Sequence, residues 1–466
     1  MSKRQSRPSP AHRLWLHVVV GMGLLSLWVS GCANLRGQQE APLTEAQRAQ
    51  NIESFDYVWT TIFEQHFDPD LNGADWEGAR SELRPKVVEA QYKSEARTAM
   101  EALIAKLGQS HFGIIPSEVY EDMTAPGAED GEDHSDRGGD IGVAIRVIDG
   151  QALVSDVYPE SPAKEAGVQT GWVVTMVNGK ELAPVIERIN ATYEGKASRD
   201  FVLSRSVSDR LVGEVGSKVD VQFLDGSDQP VAKTIERGPR RGNKSKFGHM
   251  PEVYVWFESK TIDGNVGYIA LNTFFDLANV MREFEEAIHS FRDAKGIVID
   301  LRGNPGGIGV MAMGMAGWFV EDSNQYLGTM KTRDTELKFV VNPRLEPYEG
   351  PVAILVDGLS ASTSEIMAGG MQDLGRARVF GTPTAAAALP SRIERLPNGD
   401  GFQYATANYI SASGRALEGN GVTPDKEVRL TRKALLAGRD PVVEAALAWI
   451  KQQEGAAVAD ARPANG

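Results

Sequence analysis

Four hydroxyl side chains lie within five residues of one short stretch of the sequence. The stretch reads DGLSASTSEIMAGG over residues 357–370, and its hydroxyls belong to Ser360, Ser362, Thr363 and Ser364. An apolar run precedes it and a helix-like pattern follows, which predicts a strand-to-helix turn. A serine becomes a nucleophile only when a base takes its proton. Hydroxyls at a helix start are more often caps than nucleophiles, so this stretch alone does not establish catalysis.

A second predicted strand-to-helix turn has complementary chemistry. It reads DLRGNPGG over residues 300–307 and has three glycines within five residues. In an α/β sheet such turns gather beyond the carboxyl ends of the strands, where glycine amides and helix N-termini stabilise negative charge. A hydroxyl on one turn facing amides on the next is the arrangement that acyl transfer needs. The turn lacks the lysine of a phosphate loop and the spacing of a dinucleotide fingerprint, so nucleotide binding is unsupported.

The elements that must position these turns fall into three regions. Residues 44–108 show apolar residues at helix spacing, which predicts helices. Residues 140–238 show short alternating strands around Asp-Gly and Asn-Gly turns, which predict a small β domain. From about residue 252, strand and helix patterns alternate, which indicates βαβ units and a parallel or mixed buried sheet. The acidic, glycine-rich residues 121–139 predict a linker.

The first 32 residues have the pattern of an export signal. Basic residues precede an apolar stretch of about 16 residues, shorter than the roughly 20 that span a membrane. The stretch ends in VSGC, and Cys32 is the only cysteine of the chain. This segment resembles a bacterial lipobox, which implies a lipid on Cys32, and Ala33 resembles the next residue of outer-membrane lipoproteins. An ordinary signal peptide or a signal anchor with an incidental cysteine is the alternative.

Length and charge limit the classes of function. A chain of 466 residues predicts two or three domains. The net charge of -14 favours solubility and gives no support to nucleic-acid binding. With Cys32 acylated the mature chain has no thiol, so we expect no disulfide, no cysteine metal site and no cofactor.

The small β domain resembles a PDZ domain through the stretch SPAKEAGVQTGWVVTMVNG, in which Trp172 stands where an acidic residue is usual. A PDZ groove binds an extended peptide as an added strand. The resemblance implies that the backbone of Ile141, Gly142 and Val143 holds the terminal carboxylate of the peptide. A β domain without a ligand is the alternative.

Three further stretches, VIDLRGNPGG, ILVDGLSASTSEIMAGGMQDLGRARVFGTPTA and ALEGNGVTPD, resemble the S41 peptidases. That family includes the C-terminal processing proteases and the core of tricorn protease, and the resemblance covers residues 44–450. It implies a multidomain α/β fold with a helical N-terminal region, a PDZ-like domain and a catalytic domain of the ClpP/crotonase-like type. It also implies that Ser362 is the nucleophile, and that the amide of Thr363 forms the oxyanion hole with Gly306 or Gly307.

The S41 peptidases have two branches, which differ in the residue that acts as the general base. One branch uses a lysine in TFGKG, but Ala387 occupies that position here and the first lysine after Ser362 is Lys426. The tricorn-like branch uses a histidine, and LGQSHFGI resembles its L.DSHT stretch. This implies a relay from Glu418 through Ser110 and His111 to Ser362.

Two departures from that branch concern the efficiency of the site. Gln109 replaces the usual aspartate, and Ala386 and Ala387, within the run Ala385–Ala388, stand where glycines are usual. If a glycine there needs a positive φ, alanine carries an energetic cost. The other histidines of the mature chain lack such a context, and His66, after an amphipathic helix, is predicted at the surface.

Together these patterns predict a lipid-anchored serine endopeptidase facing the periplasm, with an unfolded or C-terminally exposed polypeptide as substrate. An envelope adaptor protein is a conceivable partner, and the sequence does not indicate the oligomeric state. The alternative is a catalytically impaired relative that acts as a PDZ-based adaptor. The predicted divisions are a signal peptide at 1–31, a tether at 32–43, a helical region at 44–120, a linker at 121–139, a PDZ-like domain at 140–238, a catalytic domain at 252–452 and a disordered tail at 453–466.

Overall fold

The region ahead of the predicted linker is helical, as its apolar spacing predicts. The computed structural model describes residues 20–22, 40–109, 112–117, 138–192, 194–195, 199–246, 252–389 and 391–460. Its first elements are β1 (Val20–Met22), α1 (Glu45–Gln65), α2 (Trp76–Glu89) and α3 (Lys93–Ala105). Thr44 caps α1, because its Oγ1 accepts the N–H of Gln47 at 3.3 Å. The apolar sides of the three helices share one core.

The surface position predicted for His66 is wrong, because this residue is only 1% exposed. Its ring stacks with Phe67 and Phe112 at centroid distances of 4.4 and 5.5 Å. Its Nε2 lies 2.9 Å from Oε1 of Gln109, and its Nδ1 lies 3.0 Å from the backbone N of Asp68. His66 follows the last residue of α1, so the periodicity of that helix carries no information about its burial.

The middle region is a small antiparallel β domain. The elements after α3 are β2 (Gly113–Ile115), β3 (Gly139–Asp140), β4 (Val143–Ile148), β5 (Gln151–Val157), α4 (Pro162–Glu165), β6 (Val173–Val177), β7 (Lys180–Glu181), α5 (Ala183–Thr192), α6 (Arg199–Leu211), β8 (Lys218–Leu224) and β9 (Pro230–Glu236). The strands pair in the order β4-β5-β6-β8-β9, with β7 beside β6. β4 is therefore an edge strand, and α6 packs against it. The sequence predicts the strands and α4 but misses α5 and α6.

The C-terminal region is built on a mixed six-stranded sheet. Its elements are β10 (Gly238–Pro239), β11 (Asn243–Ser245), β12 (Val253–Val255), β13 (Phe257–Ile262), β14 (Val266–Leu271), α7 (Leu277–Ser290), β15 (Ile297–Asp300), β16 (Gly306–Ile308), α8 (Gly309–Ala316), β17 (Gln325–Thr332), β18 (Glu336–Val341), β19 (Val352–Val356), α9 (Thr363–Asp373), β20 (Arg378–Gly381), β21 (Ser391–Arg395), β22 (Gly401–Ala405), β23 (Ala407–Ser411), β24 (Lys426–Glu427), α10 (Arg432–Leu436) and α11 (Pro441–Asp460). The sheet order is β13-β14-β15-β19-β20-β24, with only β13 antiparallel to its neighbour. Helices cover the apolar strands. The multidomain α/β fold class is confirmed.

Smaller ladders fasten the helical region to this last region. β2 pairs antiparallel with β22, with Gly113 opposite Gln403. The carboxylate of Asp400, just before β22, forms ion pairs with Arg97 and Lys93 of α3 at 2.7 and 3.0 Å. β2 begins two residues after the predicted catalytic histidine, so these contacts fix the described residues that follow that position.

The predicted signal, lipidation site and linker lie almost entirely outside the described residues. Of residues 1–39 only β1 is described, and it pairs antiparallel with β16. No helix within the described ranges has the length and apolar character to cross a membrane. At the other end α11 continues to Asp460, beyond the predicted start of a disordered tail at residue 453. An ion pair between Glu454 and Lys295 at 2.9 Å supports this extension.

Candidate active site

Ser362 occupies the turn between β19 and α9. Its φ of 52° and ψ of −117° are unusual for a residue with a side chain, and it is 4% exposed. Such conformations cost of order 1–3 kcal/mol and persist where the surroundings fix them, which is common at active sites. The turn therefore holds Ser362 in one defined position at the start of a helix.

The glycine-rich turn lies directly against Ser362. A Cβ added to Gly306 would lie 2.7 Å from both the Cβ of Ser362 and the backbone N of Thr363, so only glycine fits there. Gly306 also has a φ of +95°, and Gly307 one of +146°. The two turns singled out in the sequence are thus in contact, as an acyl-transfer site requires.

The other three hydroxyls fasten the two turns together. Ser360 Oγ donates to the carbonyl of Leu301 at 2.7 Å. Thr363 Oγ1 donates to the carbonyl of Gly307 at 2.9 Å, and Ser364 Oγ donates to that of Asn304 at 2.9 Å. All three acceptors lie on the glycine-rich turn or just before it. These bonds give the three hydroxyls structural roles, and Ser362 remains the candidate nucleophile.

The amides near Ser362 differ in their partners. The N–H of Gly306 donates to Oδ1 of Asn304 at 2.8 Å, and the other end of that amide side chain donates to the carbonyl of Leu271 at 2.9 Å. Gly306 therefore already has an internal acceptor, and Gly307 lies opposite Gly21 in the β1–β16 ladder, so these contacts do not choose between the two predicted alternatives. Thr363 is the first residue of α9, where N–H groups lack partners within the helix.

A buried carboxylate organises the floor of the site. Glu365 is completely buried and accepts four hydrogen bonds, from the N–H groups of Ser362, Ala386 and Ala387 at 2.9, 2.9 and 3.1 Å and from Thr384 Oγ1 at 2.6 Å. Burial raises the pKa of Glu365 to about 7, although these hydrogen bonds oppose the rise. The sequence offered one signal for this role, a glutamate three residues after a helix-capping serine.

The alanine run lies against the nucleophile turn. Ala385 donates its N–H to the carbonyl of Ser360 at 3.0 Å, and the carbonyl of Ala387 accepts the N–H of Ser362 at 2.9 Å. Ala386 has a φ of +53°, the left-handed conformation that favours glycine. The sequence analysis expects an energetic cost for alanine where the backbone favours glycine. The left-handed conformation of Ala386 carries this cost, at about 1–2 kcal/mol.

Glu418 lies beside the same run. Its Oε2 accepts the N–H of Ala388 at 3.1 Å, and the next residue, Gly419, donates its N–H to the carbonyl of Ala386 at 3.0 Å. Glu418 is therefore linked to the Ser362 turn through the alanine run.

Ser110 and His111 lie outside the described residues, but both flanks are described. Gln109 on one side bonds His66, and Phe112 on the other side stacks with it. A cleft of about 530 Å³ lies next to Gln109, between residues 67–72 and the β17–β18 hairpin. Residues 331–336, at the turn of that hairpin, contribute to the lining. The sequence analysis did not predict the contacts of His66, because Gln109 and Phe112 lie in a distant segment of the chain.

The predicted peptide-binding residues precede and begin β4. Ile141 and Gly142 are buried, and Val143 is half-buried. Further along the strand, Nε of Arg146 lies 2.7 Å from the carboxylate of Asp357, which also accepts the N–H of Gly303 at 2.9 Å. β4 is therefore joined to both turns of the candidate site.

Comparison with known proteins gives matches to both regions. A sequence model of Peptidase family S41 matches residues 265–428, and one of the PDZ domain matches residues 139–204. The chain is 30% identical over 62% of its length to the "Probable CtpA-like serine protease" of Staphylococcus haemolyticus, and 25% identical over 89% to that of Staphylococcus epidermidis. The alignments cover 52% and 74% of those relatives, so the chain spans about half the length of the first.

Solved structures share the fold. Mature CPAF complexed with lactacystin matches 88% of this chain and 98% of its own, with a TM-score of 0.56 and 12% identity. The photosystem II D1 C-terminal processing protease matches 84% and 94%, with a TM-score of 0.52 and 21% identity.

The fold and the two facing turns define an α/β protein with a serine placed at a helix start beside a glycine-rich turn. The two sequence models then identify the domains: residues 265–428 match a Peptidase family S41 domain, and residues 139–204 match a PDZ domain ahead of it.

Proposed function

We propose that the chain is a serine endopeptidase in which Ser362 is the nucleophile and His111 is the general base. The observation that carries this proposal is the contact between Gly306 and the turn formed by Ser362 and Thr363. This contact supports the proposal because it brings Ser362 against glycine backbone, and three hydroxyl-to-carbonyl hydrogen bonds hold the two turns together.

The reaction follows from these roles. His111 takes the proton of Ser362, whose Oγ bonds to the carbonyl carbon of the scissile peptide. The N–H group of Thr363, together with that of Gly306 or Gly307, stabilises the oxyanion. His111 then gives its proton to the leaving amine as the C–N bond breaks, and a water activated by the same imidazole releases the acyl group. Glu418 and Ser110 would hold the imidazole in place.

A lysine base is not supported by the described residues. Ala387 occupies the position where the other branch has lysine, and it is buried at 1% exposure. Lys426 is exposed, in the edge strand β24. Histidine at pH near neutral is the remaining ordinary base.

The proposed substrate is an unfolded polypeptide that the PDZ groove presents to Ser362. The ion pair between Arg146 of β4 and Asp357 supports this part, because the same carboxylate binds Gly303 of the glycine-rich turn. A strand added along β4 would change the surroundings of Arg146 and thereby act on the candidate site.

A PDZ-based adaptor with an impaired catalytic site is the second candidate. The observation that favours it is the left-handed Ala386, which strains the segment packed against Ser362. The hydrogen bonds that Glu365 accepts from the nucleophile turn and from residues 384–387 support the peptidase instead.

Attachment by a lipid at Cys32 to the periplasmic side of the cell envelope, in the outer membrane, is proposed from the signal sequence. Cys32→Ser should move the protein from the membrane fraction to the soluble fraction. Recovery of the variant in membranes in the same amount as the wild type would contradict this attachment.

Cleavage of an unfolded protein by the chain from Ala33 onward tests the activity. Peptides released by the wild type and by Ser362→Ala, His111→Ala and Lys426→Ala would be followed by mass spectrometry. We expect cleavage to fall by a factor on the order of 10⁵ in the first two variants and to persist in the third. A wild type that releases no peptides across pH 6–9 would leave the adaptor as the better account.

A further inference from the structure

The loop that would hold a terminal carboxylate in the PDZ groove already contains a carboxylate of its own. Oδ1 of Asp140 accepts the N–H of Gly142 at 2.7 Å. Gly142 is one of the three residues whose backbone the family resemblance assigns to the end of a bound peptide. The side chain of Asp140 thus takes one of the donors that such a peptide would need.

The loop is fixed in this conformation. Gly142 has a φ of +77°, and an added Cβ would lie 2.2 Å from the Cβ of Ser161, so only glycine fits. Asp140 belongs to β3, which pairs with β10 opposite Gly238. The carbonyls of Ile141 and Gly142 accept the N–H groups of Ala163 and Tyr158 at 2.8 and 3.0 Å. The position of the Asp140 carboxylate is therefore built into the domain.

The charge of Asp140 opposes a second carboxylate at the same place. Burial raises the pKa of Asp140, while the Gly142 N–H and the nearby positive charge of Arg240 lower it. Both of these groups stabilise the ionised form. A terminal carboxylate bound to the same N–H would lie beside the negative charge of Asp140. The site is partly buried, so the repulsion between the two charges is stronger than in water.

We propose that Asp140 sets the specificity of the PDZ groove for internal segments of unfolded polypeptide, which carry no terminal charge, over free carboxyl termini. This inference rests on the proposed role of the groove in presenting substrate, and it replaces the carboxyl-terminal mode that the family resemblance implies. The ligand pairs its backbone with the edge of β4 and continues past Gly142 instead of ending there.

The surroundings of β4 are consistent with this mode. The strand lies at the edge of its sheet, and α6 packs alongside it. At its far end the N–H of Val147 donates to Ser204 Oγ of α6 at 3.3 Å. Between the two ends, Arg146 reaches from the strand to Asp357 beside the nucleophile turn. A segment bound along β4 therefore lies next to the contact that joins the groove to the candidate site.

Peptide binding to the chain from Ala33 onward, with Ser362→Ala to prevent cleavage, tests this inference. One apolar ten-residue sequence is made as a free acid, as a carboxyl-terminal amide and as an internal segment flanked by serine and glycine. Fluorescence anisotropy gives the three dissociation constants. We expect the amide and the internal segment to bind about 10-fold more tightly than the acid.

Substitutions at Asp140 then separate charge from shape. Asp140→Asn keeps an acceptor for Gly142 and removes the charge, so the preference should shrink to less than about 3-fold. Asp140→Gly frees the N–H of Gly142, so the acid should become the tightest ligand. Asp156→Asn is the control, since it removes an exposed carboxylate from β5, the strand that pairs with β4, and should leave the preference unchanged.

The inference is overturned if the unsubstituted groove binds the acid as tightly as the amide, or if no variant binds any of the peptides. It is also overturned if Asp140→Asn and Asp156→Asn change the ratio equally. Cleavage of an unfolded protein by the same variants with Ser362 restored is measured in parallel. If the protein cleaves its substrate but binds the acid as tightly as the amide, only the inference about Asp140 is contradicted. If the groove prefers the amide but no variant cleaves, only the proposed peptidase activity is contradicted.

Discussion

The carboxylates of Glu365 and Asp140 both accept hydrogen bonds from backbone N–H groups of a loop, but they lie in two different regions of the molecule. Glu365, behind the nucleophile turn, is fully buried and accepts four hydrogen bonds. Asp140, in the PDZ loop, is half-buried and accepts the N–H of Gly142. The first arrangement fixes two segments, the nucleophile turn and residues 384–387, relative to one another. The second occupies one donor at a place where a ligand is expected.

The number of donors decides what each carboxylate can do. Removing Glu365 would leave several buried donors without an acceptor, each costing about 1–3 kcal/mol. Removing Asp140 would leave one N–H that a peptide can satisfy. We therefore expect substitutions at Glu365 to affect stability and activity together, and substitutions at Asp140 to affect mainly the choice of ligand.

The largest expected effect is that of Glu365→Ala. It creates a cavity and leaves the N–H groups of Ala386 and Ala387 and the hydroxyl of Thr384 without their acceptor. The free energy of unfolding at pH 6 should therefore fall by about 3 kcal/mol or more. Urea denaturation followed by circular dichroism measures this change. Glu286→Ala, on the exposed face of α7, is the matched control and should change stability by less than about 0.5 kcal/mol. Equal effects of the two variants would contradict the bracing role of Glu365.

The pH dependence of stability sharpens the same point. Because burial raises the folded-state pKa of Glu365 from 4.5 to about 7, the native state binds more protons than the unfolded state between those values. The stability that this group contributes is therefore full below about pH 4.5 and is lost as the pH rises through 7. Over that window the loss is on the order of 3 kcal/mol.

Glu365→Gln, which does not titrate, should remove this part of the pH dependence. Urea unfolding at pH 5 and pH 8 gives the change in the free energy of unfolding between the two pH values. This change should be larger for the wild type than for the variant. An identical pH dependence for the two proteins would show that Glu365 keeps an ordinary pKa.

Arg146→Ala tests the connection between the two regions. It leaves the carboxylate of Asp357 without its ion pair at a site where both side chains are mostly buried. We expect kcat/KM for an unfolded protein to fall roughly 10-fold, or about 1.4 kcal/mol, mainly through kcat. Arg199→Ala, which removes an exposed arginine of the same domain, is the control. An unchanged kcat with a raised KM would assign Arg146 to binding alone.

The smallest effect concerns the alanine run. Ala386→Gly relieves a left-handed alanine and should raise the free energy of unfolding by about 1 kcal/mol. Ala388→Gly is the matched control at a buried position outside the left-handed region, and it should lower stability by about 0.5–1 kcal/mol. If both glycines destabilise the protein, the strain assigned to Ala386 is absent.

Local sequence patterns account for much of the architecture. Helix spacing predicted the helical region, and alternating patterns predicted the strands of the small β domain and of the C-terminal region. The two turns of the candidate site could also be found, since glycines and hydroxyls at strand ends are unusual in composition. Their contact through Gly306 required only that parallel strands end at one edge.

The remaining features depend on contacts between distant segments. His66 is buried by Gln109 and Phe112, about 45 residues away, which no local pattern reveals. The four donors to Glu365 come partly from residues 384–387, and the partner of Arg146 lies in another domain. The bond from Gly142 to Asp140 depends on a side-chain orientation within the loop, so the sequence resemblance alone implied an open carboxylate site.

Covalent labelling with a fluorophosphonate tests the central claim most directly. The chain from Ala33 onward is incubated with the reagent, and the modified peptide is located by mass spectrometry. We expect a single adduct on Ser362, no adduct in Ser362→Ala, a loss of labelling rate on the order of 10³-fold or more in His111→Ala, and an unchanged rate in Lys426→Ala. Labelling of Ser360 instead, or a wild-type rate in His111→Ala, would contradict the assignment of a histidine-activated Ser362.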